Sequence, residues 1–219
     1  MSRLYAEQHR ALQEVFGTRS LADRIEQLAC KTEFDEESKG FIETRDMFFL
    51  ATVNHAGQPT VSYKGGDPGF VRVVDSTTLV FPSYDGNGMF LSMGNVSAHA
   101  QVGMLFISFE RPHRLRVQGT ASISREDPMM AHYKEADLLV RVQLSALWQN
   151  CPRYVHRYEK VSASRYVPRE AKETPLAEWK RVDLVQDVLS VRDAAKAQAA
   201  GTIGVEEWID KVKSGDPTA

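Results

Sequence analysis

Two segments, Tyr63-Lys64-Gly65-Gly66-Asp67-Pro68-Gly69-Phe70 and Phe81-Pro82-Ser83-Tyr84-Asp85-Gly86-Asn87-Gly88-Met89-Phe90, interrupt a run of short strand patterns between residues 59 and 119. The first segment places Lys64 at the end of a predicted strand. The second lets backbone amides approach a ligand closely, because glycine has no Cβ, and a helix over residues 88–95 is predicted where it ends. Helix N-termini bind anions through their unpaired N–H groups and the helix dipole. Together the segments predict a site for an aromatic ligand that carries a phosphate.

Strand patterns surround these segments and predict an antiparallel sheet. Residues 47–53 are rich in β-forming side chains, residues 54–58 form a loop with a glycine near its end, and residues 59–64 return as a second strand. Four further strands are predicted at residues 70–74, 79–82, 102–109 and 114–124. A meander of about six strands is typical of a small antiparallel barrel. An alternating segment at residues 138–148 is predicted to close it.

Helical patterns flank the predicted sheet on both sides. Residues 1–45 are predicted to form an N-terminal helical extension, residues 46–160 the barrel domain, and residues 161–219 a C-terminal loop and helical extension. In the first extension a helix is predicted after Asp35, because Glu36 and Glu37 suit the positive end of a helix dipole. The predicted class is therefore mainly β with helical extensions, or α+β.

The composition excludes several classes of partner. With 42% hydrophobic and 26% charged residues the chain falls in the range of soluble globular proteins. Its net charge of -2 provides no general positive field for nucleic acid. The first ten residues carry charges and lack the apolar stretch of a secretory signal, and no apolar run is long enough to span a bilayer. We therefore expect neither nucleic acid nor a membrane as partner.

Cysteine and histidine usage points to a reducing compartment without a metal site. Cys30 and Cys151 are too few and too far apart for a disulfide framework, so the sequence predicts reduced thiols and a cytoplasmic protein. The six histidines are scattered and show no helical i, i+4 pair, and no Cys/His spacing fits zinc. We therefore expect no protein-bound metal.

The order of several short motifs resembles one known family. They are Asp46-Met47-Phe48-Phe49-Leu50-Ala51-Thr52-Val53, Gly57-Gln58-Pro59, Val61-Ser62-Tyr63-Lys64-Gly65, Leu79-Val80-Phe81-Pro82-Ser83-Tyr84, Val102-Gly103-Met104-Leu105-Phe106 and Leu115-Arg116-Val117-Gln118-Gly119-Thr120-Ala121. The segment between about residues 41 and 124 resembles the pyridoxamine 5'-phosphate oxidase-like, FMN-binding split-barrel family. The whole sequence, including Asn150-Cys151-Pro152-Arg153-Tyr154, is most similar to its flavin-nucleotide-binding branch. The resemblance implies a six-stranded antiparallel split β-barrel.

The resemblance also implies a cofactor and an assembly. Members are flavoproteins that form a homodimer with FMN at the subunit interface, and an oxidoreductase acting on a small molecule is expected. No catalytic residue is assigned, because the flavin itself transfers the hydride. The expected FMN-binding residues are Ser62, Tyr63, Lys64, Phe81, Ser83, Tyr84, Asn87, Gly88, Met89, Arg114, Arg116 and Arg153.

Two departures from the family pattern concern the substrate. The oxidases that make pyridoxal phosphate carry an Arg-Lys pair in the loop after the second flavin strand, where this chain has Gly86-Asn87-Gly88-Met89. Phosphate contacts are therefore expected to shift to backbone amides, Asn87 and Lys64. The oxidases also end in a segment rich in Trp and Arg or His that holds the pyridoxal substrate, and this sequence shows no such segment. Both departures argue against pyridoxamine phosphate as the substrate.

Three functions stay open at this point. The first is an FMN-dependent oxidoreductase, the second a non-catalytic flavin-binding module for storage or sensing, and the third a relative that binds haem or another tetrapyrrole on the same barrel. Single residues also have simpler interpretations. Lys64 alone is compatible with a solvated strand end, Tyr63 and Phe81 with ordinary core residues, and Gly86 and Gly88 with a plain turn.

Overall fold

The computed structural model describes residues 2–219, which divide into two compact units. The first unit ends at Ser162 and contains an antiparallel sheet with helices before it and within it. The second unit, Ala163–Ala219, contains short 3-10 turns and two α-helices.

Seven strands form a single antiparallel sheet in the first unit. They are β1 (Met47–Val53), β2 (Pro59–Gly65), β3 (Arg72–Asp75), β4 (Thr78–Tyr84), β5 (Gln101–Ser108), β6 (His113–Ser124) and β7 (Ala136–Asn150). The α+β, antiparallel split-barrel class predicted from the sequence is confirmed, and the sheet has seven strands where about six were counted. The seventh is β7, the segment predicted to close the barrel, which pairs with β6 on one side and β4 on the other.

The strand order is β2-β1-β5-β6-β7-β4-β3, which corrects the expected meander. The hairpins β1–β2 and β3–β4 and the three-stranded unit β5–β6–β7 each pair locally, as predicted. The non-local pairs β1–β5 and β4–β7 join these pieces. The consecutive strands β2 and β3 therefore end up at the two edges of the sheet.

Six α-helices complete the described part of the chain. They are α1 (Glu7–Val15), α2 (Arg19–Ala29), α3 (Glu36–Glu43), α4 (Leu91–Ala98), α5 (Val191–Ala200) and α6 (Val205–Ser214). The helix predicted after Asp35 is confirmed as α3, since the Asp35 carboxylate accepts a hydrogen bond from the Ser38 amide at 2.9 Å and so caps its first turn. Within residues 2–219, no helix is long and apolar enough to cross a bilayer.

The core of the first unit lies on the inner face of the sheet. The rings of Phe48, Phe81 and Phe106 are fully buried, and the Phe48 ring centroid lies 5.0 Å from that of Phe81 and 5.1 Å from that of Phe106. Gly119 allows the close approach of β6 and β7, because a Cβ at this position would lie 2.4 Å from the Gln143 carbonyl oxygen. The rigid sheet that results positions the ends of β2 and β4.

The second unit is held by a buried ion pair. The Lys180 ammonium lies 2.9 Å from the Asp193 carboxylate, and the Ser190 hydroxyl donates to the same oxygen at 2.9 Å. The Ser190 side chain also caps α5, because it accepts a hydrogen bond from the Asp193 amide. Removal of either charged partner would leave a buried charge without compensation, so this pair is a structural element of the unit.

Candidate functional site

A groove of about 290 Å³ opens where β2, the end of β4 and the start of α4 meet. Its volume is near the lower end of the range of about 300–1,000 Å³ that small-molecule sites occupy. The two glycine-rich segments, residues 63–70 and residues 81–90, both contribute side chains to it. The groove is therefore the candidate site.

The alternation of β2 selects which of its side chains face the groove. Thr60, Ser62 and Lys64 line it, because residues at i, i+2 and i+4 of a strand share one face. Tyr63 points to the opposite face, where it is largely exposed and its ring packs edge-on against Phe49 at 6.2 Å between centroids. The strand thus supplies two hydroxyls and one ammonium to the groove, and the exposed Val61 also lines it.

Two successive side chains at the end of β4, Ser83 and Tyr84, both line the groove. Opposite them β7 carries one extra residue, because Ser83 pairs with Leu138 and Tyr84 pairs with Ala136. Such a bulge disrupts the ladder locally and increases its twist, which accounts for the loss of strict alternation at this end of β4. Burial, followed by the negative charge of Asp67, raises the pKa of Tyr84, so its hydroxyl is held in the protonated form that donates hydrogen bonds.

The loop between β4 and α4 has an unusual backbone. Gly88 has φ 77° and Phe90 has φ 47°, both in the left-handed region that a helix cannot include. The helix predicted at residues 88–95 therefore begins later, at Leu91. A non-glycine residue in this conformation stores strain, and such residues concentrate at functional sites. The Phe90 ring is half exposed and lines the groove.

The first turn of α4 faces the groove with unpaired amides. Its N-cap, Phe90, makes no side-chain hydrogen bond to the first turn, so the N–H groups there are available to an anion. The helix is held in place by the buried Val96 and by Asn95, whose amide donates to the Thr52 hydroxyl at 3.0 Å. The amides of the first turn are therefore held in place.

Lys64 forms a small polar cluster with two serines at the floor of the groove. The Lys64 ammonium donates to the Ser92 hydroxyl at 3.3 Å, and the hydroxyls of Ser62 and Ser92 lie 3.0 Å apart. Burial lowers the pKa of Lys64, and no carboxylate among residues 2–219 is paired with it. A partly buried cation without a counter-charge is costly unless an anion binds beside it.

The structure brings together about half of the residues that the sequence proposed for the site. The ones that line the groove are Ser62, Lys64, Ser83, Tyr84, Asn87 and Gly88. The others lie elsewhere in this chain: Tyr63 on the far face of β2, Phe81 in the core, and Met89 on the exposed side of the loop, where its amide donates to the Asn87 side chain at 3.1 Å.

The three predicted arginines lie on β6 and beyond β7, outside the groove of their own chain. Arg114 donates to the Cys151 carbonyl at 2.9 Å, and Arg116 is exposed opposite Trp148. Arg153 lies in the following turn, with its guanidinium 5.7 Å from the centre of the Tyr154 ring. Among the described residues, no group of three or more His, Cys, Asp or Glu side chains is arranged to hold a metal ion.

Sequence reasoning missed six groove residues: Thr60, Val61, Phe90, Leu91, Ser92 and Met93. Thr60 was detectable, since it shares a strand face with Ser62 and Lys64. Ser92 was not, because its role depends on the position at which α4 begins. That position is set by the left-handed backbone of Phe90, which bulky residues rarely adopt.

The fold is an antiparallel split barrel, and the floor of its groove carries the Lys64 ammonium and two serine hydroxyls. The family model for pyridoxamine 5'-phosphate oxidase matches residues 34–147, which include the whole sheet except the end of β7. The chain therefore belongs to the pyridoxamine 5'-phosphate oxidase family. Among curated proteins, none matches this chain.

Several solved structures are similar to part of the chain. An FMN-binding protein from Syntrophomonas wolfei shares 9% identity with a TM-score of 0.44, over 64% of this chain and 97% of its own. The heme storage protein HutZ from Vibrio cholerae shares 20% identity with a TM-score of 0.39, over 52% of this chain and 92% of its own. HupZ from Group A Streptococcus shares 16% identity with a TM-score of 0.44, over 57% of this chain and 99% of its own.

Proposed function

We propose that this protein is a flavoprotein that binds FMN in the groove, with the phosphate beside Lys64. The single observation that carries the proposal is the partly buried Lys64 ammonium, which contacts Ser92 and has no carboxylate partner among the described residues. A phosphate there would accept hydrogen bonds from the ammonium, from the hydroxyls of Ser62 and Ser92, and from the unpaired amides of the first turn of α4. These donors can hold a phosphate although this chain lacks the Arg-Lys pair of the oxidases that make pyridoxal phosphate.

The remaining groove residues suit a flavin ring. Tyr84 and Phe90 supply aromatic surface, and Leu91 adds an aliphatic side chain at the rim. The Tyr84 hydroxyl and the Ser83 hydroxyl can donate to the polar edge of the ring. Flat apolar walls with a few oriented polar groups are the usual composition of a cofactor site.

We further propose that the FMN-bound form is a homodimer. Val61 and Phe90, which line the groove, and the neighbouring Met89 are each more than half exposed, and a second copy would cover this apolar rim. Arg114, Arg116 and Arg153 lie outside the groove of their own chain, so in the dimer we assign them to the groove of the partner. Their charges would supplement Lys64 at the phosphate or at the reactive edge of the ring.

The proposed reaction is an oxidation or reduction of a small molecule. When bound, FMN supplies the hydride or electron chemistry. The residues of this chain bind and orient it: Lys64 and the α4 amides neutralise the phosphate, and Tyr84 holds a proton at its hydroxyl oxygen. Both cysteines, Cys30 and Cys151, are free thiols, which supports a reducing, cytoplasmic location.

Flavin is favoured over haem by the groove itself. The side chains that line it include no histidine and no cysteine, and of the other residue types that ligate haem iron the groove has Tyr84, whose pKa is raised, and the buried Met93. Storage or sensing of FMN without catalysis is the second candidate, and it shares the same phosphate site. The two flavin functions differ in whether bound reduced FMN is reoxidised by an added small-molecule acceptor faster than free FMN.

Fluorescence titration of Lys64→Met with FMN and with riboflavin tests the phosphate site. Loss of a hydrogen bond to a charged group costs about 1.5–3 kcal/mol, so FMN affinity should fall by about 10- to 150-fold. Riboflavin lacks the phosphate, and its affinity should not change. Lys196→Ala, an exposed lysine of α5, is the matched control. Equal FMN affinity in wild type and Lys64→Met would refute the assignment.

A further inference from the structure

A second cavity, of about 270 Å³, lies where the end of α2, the start of α3, the start of β6 and the end of β7 meet. Its interior is apolar on the sheet side, since the buried Leu115 and Leu147 line it, and Leu28 and Ala29 line it from α2. Among the described residues, none lines both this cavity and the groove of the candidate site. The cavity is therefore a separate place in which a ligand can bind.

Backbone hydrogen bonds hold this cavity open. The backbones of Lys31 and Leu147 exchange two hydrogen bonds of 2.9 Å, which fix the connection between α2 and α3 to β7. A little further on, the Phe34 amide donates to the Ser76 carbonyl at 2.7 Å, and the Phe34 ring is buried in the core. The wall formed by this connection is therefore anchored at two points. A preformed wall lowers the ordering cost that a ligand must overcome on binding.

One side of the cavity carries two aromatic rings in contact. The centroids of the Phe41 and His113 rings lie 4.2 Å apart, with an angle of 38° between the ring planes, and both residues line the cavity. Aromatic rings pack favourably against one another in offset and tilted arrangements. The pair therefore favours a ligand that contains an aromatic ring.

The volume of the cavity limits the ligand to a small molecule. An apolar cavity of about 150 Å³ holds one benzene molecule. The present cavity, with about 270 Å³, can therefore hold one ring together with a short chain. Its size matches a one-ring compound better than a cofactor with several fused rings.

The charges at the mouth of the cavity favour a cation. Lys31 and Asp35 form an ion pair with each other. Glu37 is exposed at the mouth and forms no ion pair within residues 2–219. The first turn of α3 is a poor anion site, because the Asp35 carboxylate already accepts a hydrogen bond from the Ser38 amide. One negative charge is therefore left over, and the exposed Gln149 adds an amide oxygen beside it as a further acceptor.

We propose that this cavity binds a small primary amine with one aromatic ring. The ring packs on Leu115 and Leu147 beside Phe41, and the ammonium group donates to the Glu37 carboxylate at the mouth. This site is a second ligand site, beyond the proposed flavin groove. It does not depend on FMN, so it stands or falls separately from the proposed cofactor.

Fluorine NMR titration of the full chain tests the chemistry of the ligand. The probe is para-fluorophenethylamine, and para-fluorophenylpropanoate, which has the same ring and linker, is the matched anion. The amine should bind with a Kd of about 1 mM or lower, which is within reach of a ligand of about ten non-hydrogen atoms. The anion should bind at least about twofold more weakly, because it lacks the attraction to an exposed carboxylate.

Reversal of the charge at residue 37 tests the role of the mouth. Glu37→Lys should weaken amine binding by about 2- to 30-fold, twice the free energy of an exposed ion pair, and should strengthen binding of the anion. Glu36→Lys is the matched control, because it adds the same charge to the same exposed first turn of α3 but does not line the cavity. Both variants lose a favourable charge near the helix N-terminus. Only Glu37→Lys should reverse the preference between amine and anion.

Proton NOEs to methyl-labelled leucines locate the bound amine. Its ring protons should contact the methyl groups of Leu115 and Leu147, which line the cavity. Contacts to Leu91, which lines the groove, would overturn the proposal. So would the absence of saturable amine binding at about ten times the expected Kd, or an unchanged preference in Glu37→Lys.

The amine titration is repeated in the presence of FMN. The affinity for the amine should not change, because the cavity and the groove have no lining residue in common. Displacement of the amine by FMN would overturn the proposal. Amine binding to a chain that does not bind FMN would support it, which separates a failure of this site from a failure of the cofactor assignment.

Discussion

Replacement of Phe90 by glycine is expected to change stability and flavin binding in opposite directions. Phe90 has φ 47° and ψ 27°, and the left-handed conformation costs a non-glycine residue about 1–2 kcal/mol. Glycine avoids this cost but adds about 0.5–1 kcal/mol of conformational entropy to the unfolded chain. Because the Phe90 ring is half exposed, little packing is lost. The free energy of unfolding of the free protein should therefore rise by up to about 1 kcal/mol.

The same change removes an aromatic wall from the groove. Aromatic stacking contributes about 0.5–1.5 kcal/mol beyond area burial, so FMN affinity should fall by about 2- to 12-fold. Urea unfolding of the free protein measures the first effect, and quenching of flavin fluorescence measures the second. We infer that the strained backbone of Phe90 is retained because it positions the Phe90 ring and the start of α4.

Two variants separate the ring from the backbone. Phe90→Leu keeps the Cβ and therefore the strain, so it should weaken FMN binding without stabilising the protein. Glu135→Gly relieves a similar left-handed residue, with φ 59°, away from the groove, so it should stabilise the protein without affecting FMN. If Phe90→Gly is no more stable than wild type and binds FMN equally well, the conformation of Phe90 has no functional role.

Three further predictions concern pH, the sheet and a helix cap. Because burial lowers the pKa of Lys64, FMN affinity should fall as pH rises above neutral toward the usual lysine value of about 10.4, and a titration series with Lys64→Met should lose this dependence. Gly119→Ala forces a Cβ to 2.4 Å from the Gln143 carbonyl oxygen and should cost about 1–3 kcal/mol in urea unfolding, whereas Gly40→Ala meets no atom within 4 Å. Asp35→Ala should cost about 1 kcal/mol at pH 7. Hydrogen bonds from Lys31 and then Ser38 hold the Asp35 pKa well below its usual value, so wild type should begin to lose this contribution as pH falls below about 4, and the difference between the two unfolding curves should shrink progressively as pH falls further.

Local patterns predicted the local parts of the fold. The hairpin of β1 and β2 followed from β-rich residues around a glycine loop, and its register pairs Val53 with Pro59 as the five-residue loop requires. The start of α3 after Asp35 followed from Glu36 and Glu37, whose charges suit the positive end of a helix dipole. These features depend on neighbours in sequence, which a single sequence shows.

The strand order did not follow from the sequence. The pairs β1–β5 and β4–β7 join strands that lie tens of residues apart, and nothing in their apolar patterns distinguishes one partner from another. The redirection of Ser83 and Tyr84 has the same origin, because the register shift appears only where β4 meets β7. Lys64 was placed in the groove because its strand face is a local property, whereas Ser92 depends on the backbone of Phe90.

The long-range partnership of β4 has a consequence for synthesis of the chain. In the sheet of the described residues, the β3–β4 hairpin is joined to the other strands through β7. The hairpin leaves the ribosome some fifty residues before β7 does. During that interval the edge of β4 is unpaired, and its apolar residues, including Phe81, are not yet covered by β7. Such non-local pairing slows folding and exposes aggregation-prone edges. We expect nascent chains that stop before residue 136 to be chaperone clients and protease-sensitive, and those that extend past residue 150 to be protected.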